Sequence, residues 1–201
     1  MTIAEPSTPS TPEQAPPPAP ASQAAPPSPA AFDAWGEPRN KTVSWHDPLT
    51  TAAHAATMSG LDFLRAMSAG ELPPPPIAAM FGFRPVHAEP GDVQFTCTPD
   101  ESAYNPIGLV HGGLVCTLLD TAAACAVHTT LPAGVGYTSI EIKVNYLRPI
   151  RIEPEAPAEL IIHGWVTKPG RRVAFAEGDV RDAAGRVIAT ASTTCLVFPL
   201  T

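Results

Sequence analysis

The amino-acid sequence predicts an α+β protein in which an antiparallel β-sheet wraps around one long central helix. Residues 114–131 form an almost continuous apolar run, and a helix that is apolar on all sides is normally buried on all sides. A hairpin pattern precedes this run, and a meander of alternating apolar and polar residues follows it. Because a sheet is the only remaining element that could cover such a helix, the strands are expected to surround it.

The N-terminal part has the composition of a tail rather than of a folded domain. The chain has 201 residues, and residues 1–40 hold 11 of its 26 prolines together with Ala, Ser, Thr and Gln. Such a segment cannot bury enough apolar surface to offset its chain entropy. We therefore expect a disordered tail over residues 1–50 and a single domain over residues 51–201 that begins with a short helix.

The composition argues against several classes of partner. The formal net charge is −7 at pH 7, and without a basic stripe we expect no binding of nucleic acid. Four single cysteines without a C-x-x-C motif indicate reduced thiols and a cytoplasmic protein. The apolar run contains Asp120 and lacks basic flanks, so we expect a buried helix and no membrane span. The histidines have no metal-ligand spacing to the cysteines, and neither a metal nor a cofactor is expected.

Local signals predict the elements before the central helix. Ser59 is expected to cap a short amphipathic helix that ends at Gly70. Residues 73–76 are four prolines, which favour an extended connector. Residues 83–88 and 93–98 are predicted as the two strands of a hairpin, because the second alternates apolar and polar side chains after a turn sequence.

Four strands are predicted after the central helix. Residues 138–147 alternate between apolar residues at 140, 142, 144 and 146 and polar residues at 139, 141, 143 and 145, which predicts a half-buried strand with Ser139 on its polar face. Three further strands, separated by turn sequences, are expected over residues 158–167, 172–181 and 187–198. Together with the hairpin they complete the antiparallel sheet.

Asp120 is the only carboxylate in the apolar run and the strongest candidate for a catalytic residue. An ionised carboxylate in these surroundings loses its hydration and needs a partner or a function. As a catalytic group it would act as general base for a water molecule or as direct nucleophile. The structural alternative is a carboxylate that is satisfied by the hydroxyl of Thr117 or Thr121.

The start of the helix supplies further candidates. Backbone N–H groups in a first helical turn have no intrahelical acceptor, so the Gly112 N–H could polarise a carbonyl group, or the glycine could serve close packing. His111 could orient the loop, bind substrate or cap the helix. Asn105 could hold a carbonyl oxygen or a water, or form an ordinary Asn-Pro turn. Ser139 could reach a water of the site or the solvent.

Taken together, these residues resemble a known family. The pattern N-x-x-G-x-x-H-G-G over residues 105–113, then Asp120 in an apolar helix, then Tyr-Leu-Arg-Pro at residues 146–149, resembles the PaaI-like acyl-CoA thioesterases of the hot dog fold. The likeness extends over most of the folded region. It implies a sheet wrapped around a central helix, and protomers that pair their sheets in a homodimer or assemble further into a homotetramer.

The resemblance also implies a role for each candidate. The Gly112 N–H would polarise the thioester carbonyl, and Asp120 would activate the water or attack directly. Asn105 and His111 would position substrate and nucleophile. Ser139 falls where family members place a residue that orients the water. CoA would lie along the protomer interface, and the candidates for substrate binding are Gly113, Arg148, Lys168, Arg171 and Arg172.

Three functions remain compatible with this pattern. The first is hydrolysis of an acyl-CoA thioester to the free acid and CoA, with an acyl group that the sequence does not specify, aryl and medium-chain groups included. The second is a hydratase or dehydratase that acts on an enoyl or hydroxyacyl thioester on the same fold. The third is a non-catalytic module that binds acyl-CoA. Release of free CoA would separate the first function from the other two.

The spacing along the helix predicts an active site shared by two chains. Gly112 and Asp120 are eight residues apart, which is about 12 Å at 1.5 Å per residue. Reacting atoms must approach to about 3–3.5 Å. A second, antiparallel helix across a two-fold axis would bring its own Asp120 to the first Gly112, and the same symmetry would create two equivalent sites.

Overall fold

The computed structural model describes residues 29–152 and 159–200. The chain divides into two units, Met1–Asn40 and Lys41–Thr201. In the first unit the described residues include one short 3₁₀ helix, Pro29–Trp35. A disordered tail is expected over residues 1–50, and residues 1–28 of this range lie outside the described residues. The predicted end of the tail, residue 50, falls within the first helix of the second unit.

The described part of the second unit contains four α-helices, of which the last is the longest. They are α1 (Pro48–Thr57), α2 (Gly60–Ser68), α3 (Pro76–Phe81) and the central α4 (Gly112–His128). Ser59 caps α2 as predicted, because its Oγ accepts a hydrogen bond from the Asp62 N–H at 3.2 Å. None of the described helices is long and apolar enough to cross a membrane.

The strands form one six-stranded sheet in which all neighbours are antiparallel. Its strands are β1 (Phe83–Glu89), β2 (Asp92–Cys97), β3 (Val135–Tyr146), β4 (Leu160–Lys168), β5 (Val173–Asp182) and β6 (Val187–Pro199). Their spatial order is β1-β2-β4-β5-β6-β3, so β1 and β3 are the edges. The predicted α+β architecture, an antiparallel sheet with a long central helix, is confirmed.

The central helix packs closely against the sheet because both contribute small residues at the contact. Ala122 and Ala126 of α4 are completely buried. A Cβ atom on Gly164 of β4 would lie 2.3 Å from the Ala122 carbonyl carbon and oxygen, so only glycine permits this approach. Buried side chains such as Leu118 and Ile162 fill the same core, which fixes α4, and with it Asp120, relative to the strands.

The strict alternation predicted for β3 is interrupted by a bulge next to Ser139. Ser139 pairs with Cys195 and Glu141 pairs with Thr194, so Ile140 is an extra residue in the ladder. A bulge of this kind shifts the following side chains by one position, and a shift of one position exchanges the two faces of a strand. Ser139 therefore faces α4, and Ile140 is 56% exposed although the alternation predicts it to be buried.

Candidate active site

Asp120 is held by a hydroxyl group from the neighbouring strand. It is half-buried in the middle of α4, and its Oδ1 accepts a hydrogen bond from Ser139 Oγ at 2.7 Å. The two threonines considered as structural partners bond elsewhere, since Thr117 Oγ1 donates to the Gly113 carbonyl and Thr121 Oγ1 donates to the Thr117 carbonyl. Within the described residues the second carboxylate oxygen of Asp120 accepts no hydrogen bond, so it is available for a substrate or a water.

Asp120 and Ser139 line an apolar cavity of about 480 Å³. The apolar part of its wall comes from α2, α3 and the first two strands, and includes Phe63, Leu64, Met67, Ile77, Phe83 and Phe95. Burial lowers the pKa of His128, which also lines the cavity, to about 4, so its ring is neutral at pH 7. The site thus combines one carboxylate with an otherwise uncharged, mostly apolar space.

Tyr137 closes the cavity near the end of α4. Burial raises the pKa of its hydroxyl well above the ordinary value, so the group stays protonated. Its oxygen lies 3.8 Å from Cys125 Sγ, and its ring lies 4.9 Å from the His128 ring. Burial also raises the pKa of Cys125 to about 11, which keeps this cysteine a thiol.

His111 caps the central helix, which is one of the roles that the sequence left open. Its Nδ1 accepts a hydrogen bond from the Gly113 N–H at 2.8 Å. A neutral ring that accepts at Nδ1 carries its proton on Nε2, and that nitrogen can donate to a substrate. A Cβ atom on Gly113 would lie 2.9 Å from the same Nδ1. Gly113 therefore serves the cap, since any larger residue would push the imidazole away.

Gly112 is positioned by Tyr146, which belongs to the motif at residues 146–149 and had no predicted role of its own. Tyr146, the last residue of β3, donates its hydroxyl to the Gly112 carbonyl at 3.0 Å. A Cβ atom on Gly112 would lie 3.2 Å from two carbons of the Tyr146 ring, so the ring packs flush against the glycine. The Gly112 N–H has no acceptor among the described residues and is free to bind an oxygen at the positive end of the helix dipole.

Asn105 closes the loop that leads to Gly112. Its Oδ1 accepts hydrogen bonds from the Ile107 and Leu109 N–H groups, both at 3.1 Å. Asn105 therefore forms the turn that the sequence left open as one of its two roles. The side-chain NH₂ group makes no hydrogen bond within the described part of the chain, so it can still donate to a carbonyl oxygen or a water.

Of the basic candidates, the structure brings only Arg148 close to Gly112 in one chain. Both residues, together with Asn105 and Tyr146, line a surface groove of about 280 Å³. Arg148 is exposed, and its Nη1 donates to the Val187 carbonyl. Among the described residues its partner is this neutral carbonyl rather than a carboxylate, so within that part of the chain the guanidinium charge is available to an anionic group.

The other basic candidates lie at the opposite end of α4. Lys168 ends β4, with its ammonium group 5.9 Å from the centre of the Phe175 ring. Arg171, in the turn that follows, lines a surface pocket with Thr130 and Leu131, which come just after α4, and Arg172 is adjacent in sequence. A helix of 17 residues spans about 25 Å at 1.5 Å per residue. One chain therefore cannot place these side chains at Gly112.

One described chain thus contains two half-sites. The first is the helix start with Gly112, His111 and Asn105, and the second is the Asp120–Ser139 pair beside the apolar cavity. The continuous helix confirms the predicted separation of about 12 Å between Gly112 and Asp120. Among the described residues no group of three or more His, Cys, Asp or Glu side chains could hold a metal ion.

Comparison with known families gives a match to the central part of the chain. The family model described as the thioesterase superfamily matches residues 107–189. This range contains both half-sites except for Asn105. Among curated proteins, the chain is similar to acyl-coenzyme A thioesterase 13 of Homo sapiens and of Pongo abelii. Each is 31% identical over 105 residues, which cover 52% of this chain and 71% of the relative.

Solved structures show the same arrangement of helix and sheet. A phenylacetic acid degradation-related protein from Ralstonia eutropha is 26% identical, with a TM-score of 0.59 over 66% of this chain and 98% of that protein. A thioesterase family protein from Silicibacter pomeroyi is also 26% identical, with a TM-score of 0.59 over 68% of this chain and 98% of that protein.

Proposed function

Because the chain belongs to the PaaI-like thioesterases of the hot dog fold and is a thioester hydrolase, we propose that it hydrolyses an acyl-CoA to the free acid and CoA. The family membership agrees with the resemblance found in the sequence. The curated relatives are named as acyl-coenzyme A thioesterases. The observation that carries the proposal is the Ser139–Asp120 hydrogen bond of 2.7 Å at the wall of an apolar cavity.

The helix start would bind the thioester carbonyl. The Gly112 N–H has no acceptor in the described chain and points out of the first turn of α4, where the helix dipole adds positive potential. A donor fixed in this way stabilises the oxyanion that forms when the carbonyl is attacked. The free NH₂ group of Asn105 and the Nε2–H of His111 are the neighbouring donors that would hold the substrate in place.

Asp120 would supply the attacking group in one of two ways. As general base it takes a proton from a water, the water oxygen adds to the carbonyl, and the intermediate expels the CoA thiolate, which is then protonated. As nucleophile its free oxygen attacks the carbonyl, the C–S bond breaks to release the CoA thiolate, which is then protonated, and water hydrolyses the resulting acyl-aspartyl anhydride at its aspartyl carbonyl. Ser139 holds Oδ1 in both routes. A single turnover in ¹⁸O-labelled water distinguishes them, because only the second route incorporates label into Asp120.

The separation of the half-sites supports a homodimer with shared active sites, which could pair further into a homotetramer. A Gly112 and an Asp120 about 12 Å apart on one helix cannot act on the same carbonyl. The edge strand β3 has 12 residues, and Ile140 is 56% exposed on it. The other edge, β1, carries Pro85, which discourages strand pairing. Pairing of two β3 edges across a two-fold axis would set the two α4 helices antiparallel.

The groove beside Gly112 would hold the CoA portion of the substrate. It shares Arg148 and Ile188 with a second groove of about 490 Å³, which is also lined by Arg151 and Arg186. Arg186 is paired with Asp182 at 2.7 Å, whereas the partner of Arg148 within the described residues is the Val187 carbonyl. Arg148 is therefore the first candidate for a CoA phosphate. The predicted candidates Lys168, Arg171 and Arg172 would serve the same site only through the second chain of a dimer.

An acyl-CoA panel with a thiol-trapping reagent tests the proposed function. Wild-type protein should release free CoA, and Asp120→Asn should lower the turnover by orders of magnitude with an unchanged melting temperature. Glu177→Gln is the matched control, because Glu177 is an exposed carboxylate on β5 remote from the cavity lining. Addition of water to an enoyl-CoA without CoA release would indicate a hydratase, and saturable binding without turnover would indicate a binding module.

A further inference from the structure

One face of α1 borders the cavity that contains Asp120. Pro48, Thr51 and Ala52 line it together with residues of α2, α3, α4 and the strands. These three positions are spaced i, i+3 and i+4, so they lie on the same side of a helix. Ala53, one position further along the helix, does not contribute to the cavity wall. The cavity therefore has a wall made by a helix that precedes the rest of the site in the chain.

Helix α1, which forms this wall, is not buried against the rest of the domain. No residue of α1 is buried. Its start is fixed by Asp47, whose carboxylate accepts from the Leu49 N–H at 2.9 Å. Near its end, the Gly134 N–H donates to the Ala56 carbonyl at 3.0 Å. A larger side chain on the cavity face of α1 would therefore fill the cavity without disrupting a packed core.

The lining of the cavity excludes charged ligand groups. Asp120 is the only Asp or Glu among the described residues that form it, and none of them is Lys or Arg. His128 is neutral at pH 7 because burial lowers its pKa. A second carboxylate on a ligand would have to be buried there without a cation, at a large cost in desolvation. The cavity suits an uncharged, apolar group next to the carboxylate that performs the chemistry.

We propose that α1 forms a wall of the acyl-binding cavity and limits the size of the uncharged acyl group that the enzyme accepts. The inference rests on the proposed acyl-CoA thioesterase activity and adds the substrate class and the element that sets its upper size. The cavity face of α1, Thr51 and Ala52, then determines specificity. These residues contact the acyl group and take no part in the chemical step.

The test compares the acyl-chain profiles of matched variants. Wild-type protein, Ala52→Phe, Thr51→Phe and the control Ala53→Phe are assayed with acetyl-, butyryl-, hexanoyl-, decanoyl- and succinyl-CoA. We expect Ala52→Phe and Thr51→Phe to lower kcat/KM roughly ten-fold or more for the longest accepted acyl groups and to leave the shortest one unchanged. Ala53→Phe should reproduce the wild-type profile, and succinyl-CoA should be a far poorer substrate than butyryl-CoA.

The outcomes separate this inference from the proposed function. If both cavity-facing variants fold, hydrolyse the shortest substrate and keep the wild-type profile, α1 is not the wall that limits the acyl group. If succinyl-CoA is hydrolysed as fast as butyryl-CoA, the assigned substrate class is wrong. If the wild-type protein hydrolyses none of the thioesters, the proposed function fails, and this inference fails with it.

Discussion

The Ser139 hydroxyl donates a hydrogen bond of 2.7 Å to the Asp120 carboxylate because β3 bulges between Ser139 and Glu141. Without the bulge the strict alternation of the strand would turn the hydroxyl toward solvent. The bond fixes one oxygen of the carboxylate and leaves the other free, which is the arrangement that a general base or a nucleophile needs. Bulges next to active sites commonly direct a side chain in this way.

Removal of this hydroxyl should impair catalysis more than stability. A hydrogen bond to a charged group contributes about 1.5–3 kcal/mol, so Ser139→Ala should lower kcat roughly ten- to hundred-fold with little change in KM. Ser139→Thr keeps the hydroxyl and should retain most of the turnover. The measurement is steady-state release of free CoA by both variants. Wild-type kcat in Ser139→Ala would show that the bond does not serve the reaction.

The fold could be predicted because periodic patterns decide it. The apolar run around Leu118 predicts a buried helix, and for most strands the alternation of apolar and polar residues between turn sequences predicts the strand. The bulge at Ser139 could not be predicted, because neither glycine nor proline marks it and Ile140 continues the apolar pattern. Helix α1 could not be predicted, because none of its residues is buried and no apolar stripe marks it.

The candidate site was predictable to the extent that it lies on one helix. Gly112 and Asp120 stand out in their local sequence, the first by its place at a helix start and the second as a lone carboxylate. Tyr146 could not be found in this way, because it contacts Gly112 from 34 residues further along the chain. This contact depends on how the end of β3 packs against the start of α4, and the local sequence around either residue does not predict that packing.

Tyr146→Phe should reduce turnover through the position of Gly112. The substitution keeps the ring that packs on the glycine and removes only the bond of 3.0 Å from the hydroxyl to the Gly112 carbonyl. A single neutral hydrogen bond contributes about 0.5–1.5 kcal/mol, so we expect kcat/KM to fall by up to about ten-fold. The comparison is made with several acyl-CoA substrates. A loss confined to one acyl group would instead assign Tyr146 to substrate selection.

His128 should make the protein less stable in mild acid. The ordinary pKa of histidine is 6.5, whereas burial lowers the pKa of His128 to about 4 in the folded state. Between these two pH values the unfolded state binds more protons than the folded state. The stability that comes from burying a neutral His128 is therefore fully present above pH 6.5 and is lost as the pH falls toward 4. At pH 5 the loss amounts to roughly 2 kcal/mol. The free energy of unfolding should depend less on pH in His128→Phe, and His54→Ala, on the exposed surface of α1, should behave as wild type.

Deletion of residues 1–40 should leave the folded domain intact. The second unit begins at Lys41, whose ammonium group bonds the Asp100 carboxylate and the Met80 carbonyl. The Pro-rich segment before it is expected to bury too little apolar surface to contribute to stability. Melting temperature and turnover of the truncated protein should match those of the full chain. A drop of several degrees would show that the segment docks on the domain, and Lys41→Ala controls for the loss of this local contact.

The central claim is that one active site combines the Gly112 half-site of one chain with the Asp120 half-site of another. Complementation tests it directly. Asn105→Ala damages the first half-site and Asp120→Asn damages the second, so each protein alone should be nearly inactive. In a mixed dimer the two substitutions fall into the same site, and the other site is intact.

The decisive measurement is the activity of the two variants after they are unfolded and refolded together in equal amounts. Half of the dimers should then be mixed, each with one intact site of two, so activity should recover to roughly a quarter of wild type. Subunit exchange is verified independently with differently tagged chains. Recovery near a quarter supports the shared site. Proven exchange without any recovery would place the whole reaction within one chain and contradict the account.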